Sequence, residues 1–178
     1  MALIPFVAPS RRVFRPALIP LGLTFGAMTG LYIAAVKATT AANAIFLQCS
    51  ATFWTVPLSA LLLRERPDRR SVMGIGLATV GIAAIVSYGY DGRPDEHRGI
   101  ALGLASGVAY AAVAVGIRGL RDLDPLWLSG VNNLAGAMAL GAWIVVTRGA
   151  IPIPGPSQTP ILIAFGVVQM AIPYALFA

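Results

Sequence analysis

Residues 16–70 read PALIPLGLTFGAMTGLYIAAVKATTAANAIFLQCSATFWTVPLSALLLRERPDRR. Two apolar runs, Pro16 to Ala38 and Ala41 to Leu63, are parted only by Thr39-Thr40, and an arginine-rich turn closes the second. A helix needs about 20 mostly apolar residues to cross the hydrocarbon core of a bilayer. Lipid-facing strands would require a closed barrel with alternating polarity, and no alternation is present here. The stretch therefore reads as a hairpin of two membrane-spanning helices.

The rest of the chain repeats the pattern. Further spans are expected over about Ser71–Tyr90, Gly99–Ile117, Leu126–Thr147 and Pro160–Ala178. Short polar connections separate them, and the last, Arg148 to Thr159, is rich in proline and glycine. The predicted class is an all-α integral membrane protein, a polytopic bundle of about six transmembrane helices. Composition agrees: 57% of the residues are hydrophobic, 11% are charged and the mean hydropathy is +0.78. Soluble domains carry roughly 25% charged residues.

The net charge of +6 is not spread like a nucleic-acid footprint. Counting alternate sides places Arg11, Arg12, Arg15, Arg64, Arg66, Arg69, Arg70, Arg118 and Arg121 on one side. Lys37, Arg93, Arg98 and Arg148 fall on the other. The positive-inside rule makes the first side cytoplasmic. The expected location is the inner (cytoplasmic) membrane, with the loops around Arg11–Arg15, Arg64–Arg70 and Arg118–Arg121 inside. Phe14, Tyr88, Tyr90, Trp127 and Trp143 fall near predicted helix ends, as interfacial aromatics or as packing.

Small residues recur every fourth position in three spans: Gly22, Gly26, Gly30 and Ala34; Gly99, Gly103 and Gly107; Gly74 and Ala78, with Gly81 close behind. Such stripes let helix backbones approach, either as fixed packing or as surfaces that slide. Pro57 and Pro173 lie inside spans and each removes a backbone hydrogen bond, so both are candidate hinges or plain kinks.

No Asp or Glu falls inside a span; the polar residues at depth are neutral. Gln48, Thr52, Thr55 and Ser59 are spaced i, i+4, i+7, i+11, one helical face. Tyr32, Ser106, Tyr110, Asn132, Asn133, Gln169 and Tyr174 lie at compatible depths. Together they are candidates to line a substrate cavity near the midplane; singly, each serves equally as an interhelical hydrogen bond. A neutral, mildly aromatic lining suits a small polar or zwitterionic solute. The single Cys49 and single His97 provide neither a zinc site nor a nucleophile–base pair, and no cofactor motif is present.

Val56 to Val86, VPLSALLLRERPDRRSVMGIGLATVGIAAIV, resembles the EamA family of the drug/metabolite transporter superfamily. Pro57, Glu65, Arg66, Gly74 and Gly81 fill the matching positions. Arg98 to Pro125, RGIALGLASGVAYAAVAVGIRGLRDLDP, is similar to the start of the family's second repeat. The resemblance implies ten helices in two inverted five-helix repeats, of which this sequence holds helices three to eight. Residues 1–90 would end the first repeat and residues 91–178 begin the second. The implied activity is alternating-access transport, often export, of small metabolites such as amino acids and their derivatives. The partners implied are the solute and the lipid bilayer, not nucleic acid. Competing expectations are a six-helix carrier completed by dimerisation, a non-transporting membrane scaffold or assembly protein, and an intramembrane enzyme.

Overall fold

The computed structural model describes residues 13–64, 69–88, 96–150 and 154–168. These form seven helices: α1 (Leu18–Ala38), α2 (Ala41–Gln48), α3 (Ala51–Leu62), α4 (Arg69–Tyr88), α5 (Glu96–Gly119), α6 (Pro125–Arg148) and α7 (Gln158–Gly166). No strand occurs among the described residues. Four rods are long and apolar enough to cross a membrane: α1, α2 with α3, α5 and α6. A shorter apolar stretch, Val72–Ala84, lies within α4. Gln169, Pro173 and Tyr174 lie outside the described residues, as do Arg11, Arg12, Arg66 and Arg93.

The helix ends follow from local chemistry. At the α1–α2 turn, the Thr39 N–H bonds Ala35 O at 2.8 Å, and Thr40 Oγ1 accepts the Asn43 N–H at 3.1 Å. Two threonines thus finish one helix and start the next. Asp124 caps α6, its carboxylate accepting from Leu126 N (3.0 Å) and Trp127 N (3.2 Å), with Pro125 in the first turn. Gly149, at φ 75°, ends the same helix in the left-handed conformation that favours glycine. Asp124→Ala is expected to cost about 1 kcal/mol through the lost cap; the thermal midpoint of detergent-purified protein reads this, and Asp124→Asn should largely restore it.

The second span is not one straight rod. It is interrupted at Cys49-Ser50, about two turns before Pro57, which sits inside α3. Here the backbone tightens to i→i−3 bonds: Ser50 N to Leu47 O (3.1 Å), Thr52 N to Cys49 O (3.2 Å) and Phe53 N to Ser50 O (2.9 Å).

Close approaches fix helix direction. α1 and α6 run parallel, because Gly22 meets Ala135 while Gly26 meets Gly136 and Ala139 further along both. α5 runs antiparallel to α1: Gly99 abuts Ala38 and Thr39, and Gly116 abuts Leu21. α5 is parallel to α2 and α3, since Gly103 lies on Leu47, Gly107 on Ser50 and Gly119 near Leu63. Parallel α3 and α5 require one crossing between them, which α4 supplies. Its 20 residues reach about 30 Å, the thickness of the hydrocarbon core. The stripes of α1 and α5 are therefore packing surfaces. In α4, a methyl group added at Gly74 or Gly81 would meet nothing within 4 Å.

Outward faces are apolar all round. Val146 is 83% exposed and Leu77 77% exposed. Such a surface suits hydrocarbon, and the protein is a polytopic helical membrane protein.

Candidate functional site: a cleft beside α1

α1, α5 and α6 meet at one end; at the other α5 still rests on α1, and a groove lies between α5 and α6. At the closed end, Leu18, Leu21, Leu120, Leu123 and Leu128 form a buried cluster that continues towards mid-depth through Met28 and Val113. Polar contacts tie the same end. The Arg15 guanidinium pairs with the Asp122 carboxylate, and Trp127 Nε1–H donates to Val13 O at 2.8 Å. Arg118 lies in the last turn of α5 and Arg121 just beyond it, and Arg64 follows α3.

Towards the opposite end, a cleft of about 520 Å³ opens between the three helices. Small residues of α1, Gly26, Ala27 and Gly30, form its floor. Leu31, Leu140 and Trp143 give it apolar walls. Arg98 and Leu102, from the first two turns of α5, border it and also a second hollow of about 290 Å³ lined by Lys37 and Ala38. The two hollows share Ala34, Arg98 and Leu102. Gly26, Ala27 and Gly30 leave room for the cleft on α1, which also lines it with Leu23, Leu31 and Ala34.

The polar residues singled out in the sequence lie mostly elsewhere. Tyr32 and Gln48 are half-buried, Thr52 is exposed, Thr55 is half-buried and Tyr110 is 49% exposed. Ser106 and Asn132 are buried, and Asn133 is half-buried. None of these borders the cleft. Several satisfy themselves on their own helices. Thr55 Oγ1 donates to Ala51 O (2.7 Å), Ser106 Oγ to Gly103 O (2.7 Å) and Asn133 Nδ2 to Ser129 O (2.8 Å). Thr24, Thr29, Thr79, Ser87 and Thr147 bond in the same way. Ser50 Oγ and Asn132 Oδ1 are the exceptions: both are buried without a conventional hydrogen-bond partner.

Sequence reasoning missed the cleft, the Arg98 that borders it and the Lys37 of the adjoining hollow. The available signal was that Lys37 is the only charged residue within the first apolar run and that Arg98 opens the fourth. Among the described residues, no three His, Cys, Asp or Glu side chains gather into a metal-binding group.

A bundle shut at one end and cleft at the other invites comparison with carriers. The model of the EamA-like transporter family matches residues 1–87 and again 97–178. The chain belongs to the EamA-like transporter family. An Archaeoglobus fulgidus protein called "Uncharacterized transporter" is 29% identical to it over 191 residues. That overlap takes in 100% of this chain and 62% of the relative, so the EamA-like chain spans less than two thirds of that protein's length. No solved structure matches it. Family membership and the apolar helices together place this EamA-like chain in a bilayer.

Proposed function

We propose that the protein carries small metabolites, amino acids or their derivatives among them, across the inner membrane by alternating access, and that it works as an exporter. One observation carries the reading: α1, α5 and α6 are sealed by leucines at one end and open into a cleft at the other. Rocking the elements on either side of α1 would exchange the two ends around a site at mid-depth. The repeats are taken as residues 1–90 and 91–178; the family match in two stretches, 1–87 and 97–178, supports that division. The arginine-rich end is taken as cytoplasmic from the charge count, so the cleft opens outward.

The test is thiol accessibility in sealed membranes. Native Cys49 is exposed and must first be replaced by serine. In that background, Leu31→Cys and Ala139→Cys are expected to react with an impermeant maleimide from the Arg98 face. Leu18→Cys and Leu128→Cys, buried in the described state, should react slowly and from the opposite face. Gln48→Cys, Thr52→Cys and Thr55→Cys test whether the stripe read in the sequence faces water. Cleft positions unreactive from both faces would favour a scaffold and overturn the carrier.

A further inference from the structure

Lys37 and Arg98 come from different helices, the last turn of α1 and the first of α5, and both line one hollow. Neither makes an ion pair among the described residues. The nearest acid in sequence, Glu96, is turned inward at 2% exposure and already has a partner; among the described residues no carboxylate lines either hollow. Two cations beside one hollow, with no counter-ion among the described residues, repel each other, and an anion between them would relieve that cost. Behind Arg98 the space continues into the apolar cleft walled by Leu31, Leu140 and Trp143. At about 520 Å³ it falls within the size of small-molecule pockets.

The geometry points to a binding site for small organic anions with an apolar body. The anionic group sits between Lys37 and Arg98, and the body lies along the cleft. This rests on the carrier reading above and names the class of solute held in its outward-open state. Guanidinium and ammonium groups at a helix end also meet lipid phosphates. The shared chemistry is a lone anion. The volume beyond Arg98 lies in the range of small-molecule pockets, and on that ground the occupant is taken as a small solute.

The experiment uses the purified full chain in phosphatidylcholine nanodiscs, titrated calorimetrically with phenylbutyrate and with its neutral amide. The acid is expected to bind about tenfold more tightly than the amide, as charge-assisted contacts allow. Lys37→Gln with Arg98→Gln should erase the preference. Lys37→Glu with Arg98→Glu should turn it towards phenylbutylamine, and a monodisperse elution profile confirms that each variant is folded. Equal binding of acid and amide, or a preference surviving in the glutamine variant, overturns the site. Displacement of the acid by added phosphatidylglycerol assigns the cations to lipid and overturns it too. A protein that shows the preference but moves no solute into proteoliposomes keeps the site and loses the carrier. One that transports without the preference does the reverse.

Discussion

Gly107→Ala is expected to destabilise the folded protein by about 1–3 kcal/mol, and Gly107→Leu to prevent folded protein from accumulating. α5 meets the interruption of the second span at this glycine. An added methyl group would collide with Ser50 Oγ and stand 3.0 Å from Leu47 O and 3.2 Å from Gln48 O. Two of these are backbone atoms that no rotamer change can move. The Ser50 hydroxyl, 1% exposed, also has nowhere to turn. The Ser50 hydroxyl that faces this glycine is buried with no hydrogen-bond partner among the described residues. Ser50→Ala should therefore be near neutral alone and recover part of the loss when combined with Gly107→Ala. Gly74→Ala is the contrast. That glycine lies on α4 with open space around it, and alanine there should be neutral or slightly stabilising through helix propensity. Fluorescence-detected size-exclusion after heating ranks all five variants. Equal effects at Gly74 and Gly107 would mean that α5 does not rest on the interruption.

The spans were legible because their cause is local: enough apolar residues in a row, punctuated by threonine, proline, aspartate and arginine. The Thr39-Thr40 turn and the Asp124 cap needed nothing distant. The break at Cys49-Ser50 was not legible. Neither residue is a breaker by type, and both keep right-handed helical angles. What accompanies the break is long-range, the seat offered by Gly107, 57 residues from Ser50 in sequence but adjacent in space. The obvious signal nearby, Pro57, pointed to a place where α3 continues.

The polar stripe shows how a period read along the sequence depends on an unbroken helix. Gln48, Thr52, Thr55 and Ser59 share a face only if the helix is continuous. Tightened turns advance about 120° per residue where an α-helix advances about 100°. The interruption thus shifts Thr52 and its successors relative to Gln48. Thr52 is exposed while Ser59 is 8% exposed. Hydroxyls in an apolar helix also have a partner within reach at every turn, the carbonyl three or four residues back. Their presence at depth therefore says little about a cavity. The cleft is bordered instead by small and apolar residues of α1, and the cations beside it sit at helix ends, where charges are ordinary.

The closed end carries the other large expected effect. Arg15 and Asp122 are 44% and 52% exposed, so their pairing contributes only about 0–1 kcal/mol. Breaking it with Asp122→Ala should leave the fold intact. Asp122→Arg replaces attraction by repulsion, a swing of about 1–2 kcal/mol against the closed arrangement on the same scale. If the protein exchanges between two arrangements, about 1.4 kcal/mol changes their ratio about tenfold. Leu128 is 4% exposed and reports that exchange, since a thiol there reacts only when the leucine cluster parts. In a Cys49→Ser, Leu128→Cys background, Asp122→Arg is thus expected to raise maleimide labelling from the Arg15 end about tenfold. Labelling of Ala139→Cys in the cleft should fall as the outward-open population shrinks. The charge swap Arg15→Asp with Asp122→Arg should return both rates towards their starting values, which simple loosening of the fold would not do. Unchanged labelling at Leu128→Cys in the repulsive variant would mean that this end does not open, and alternating access around α1 would be lost with it.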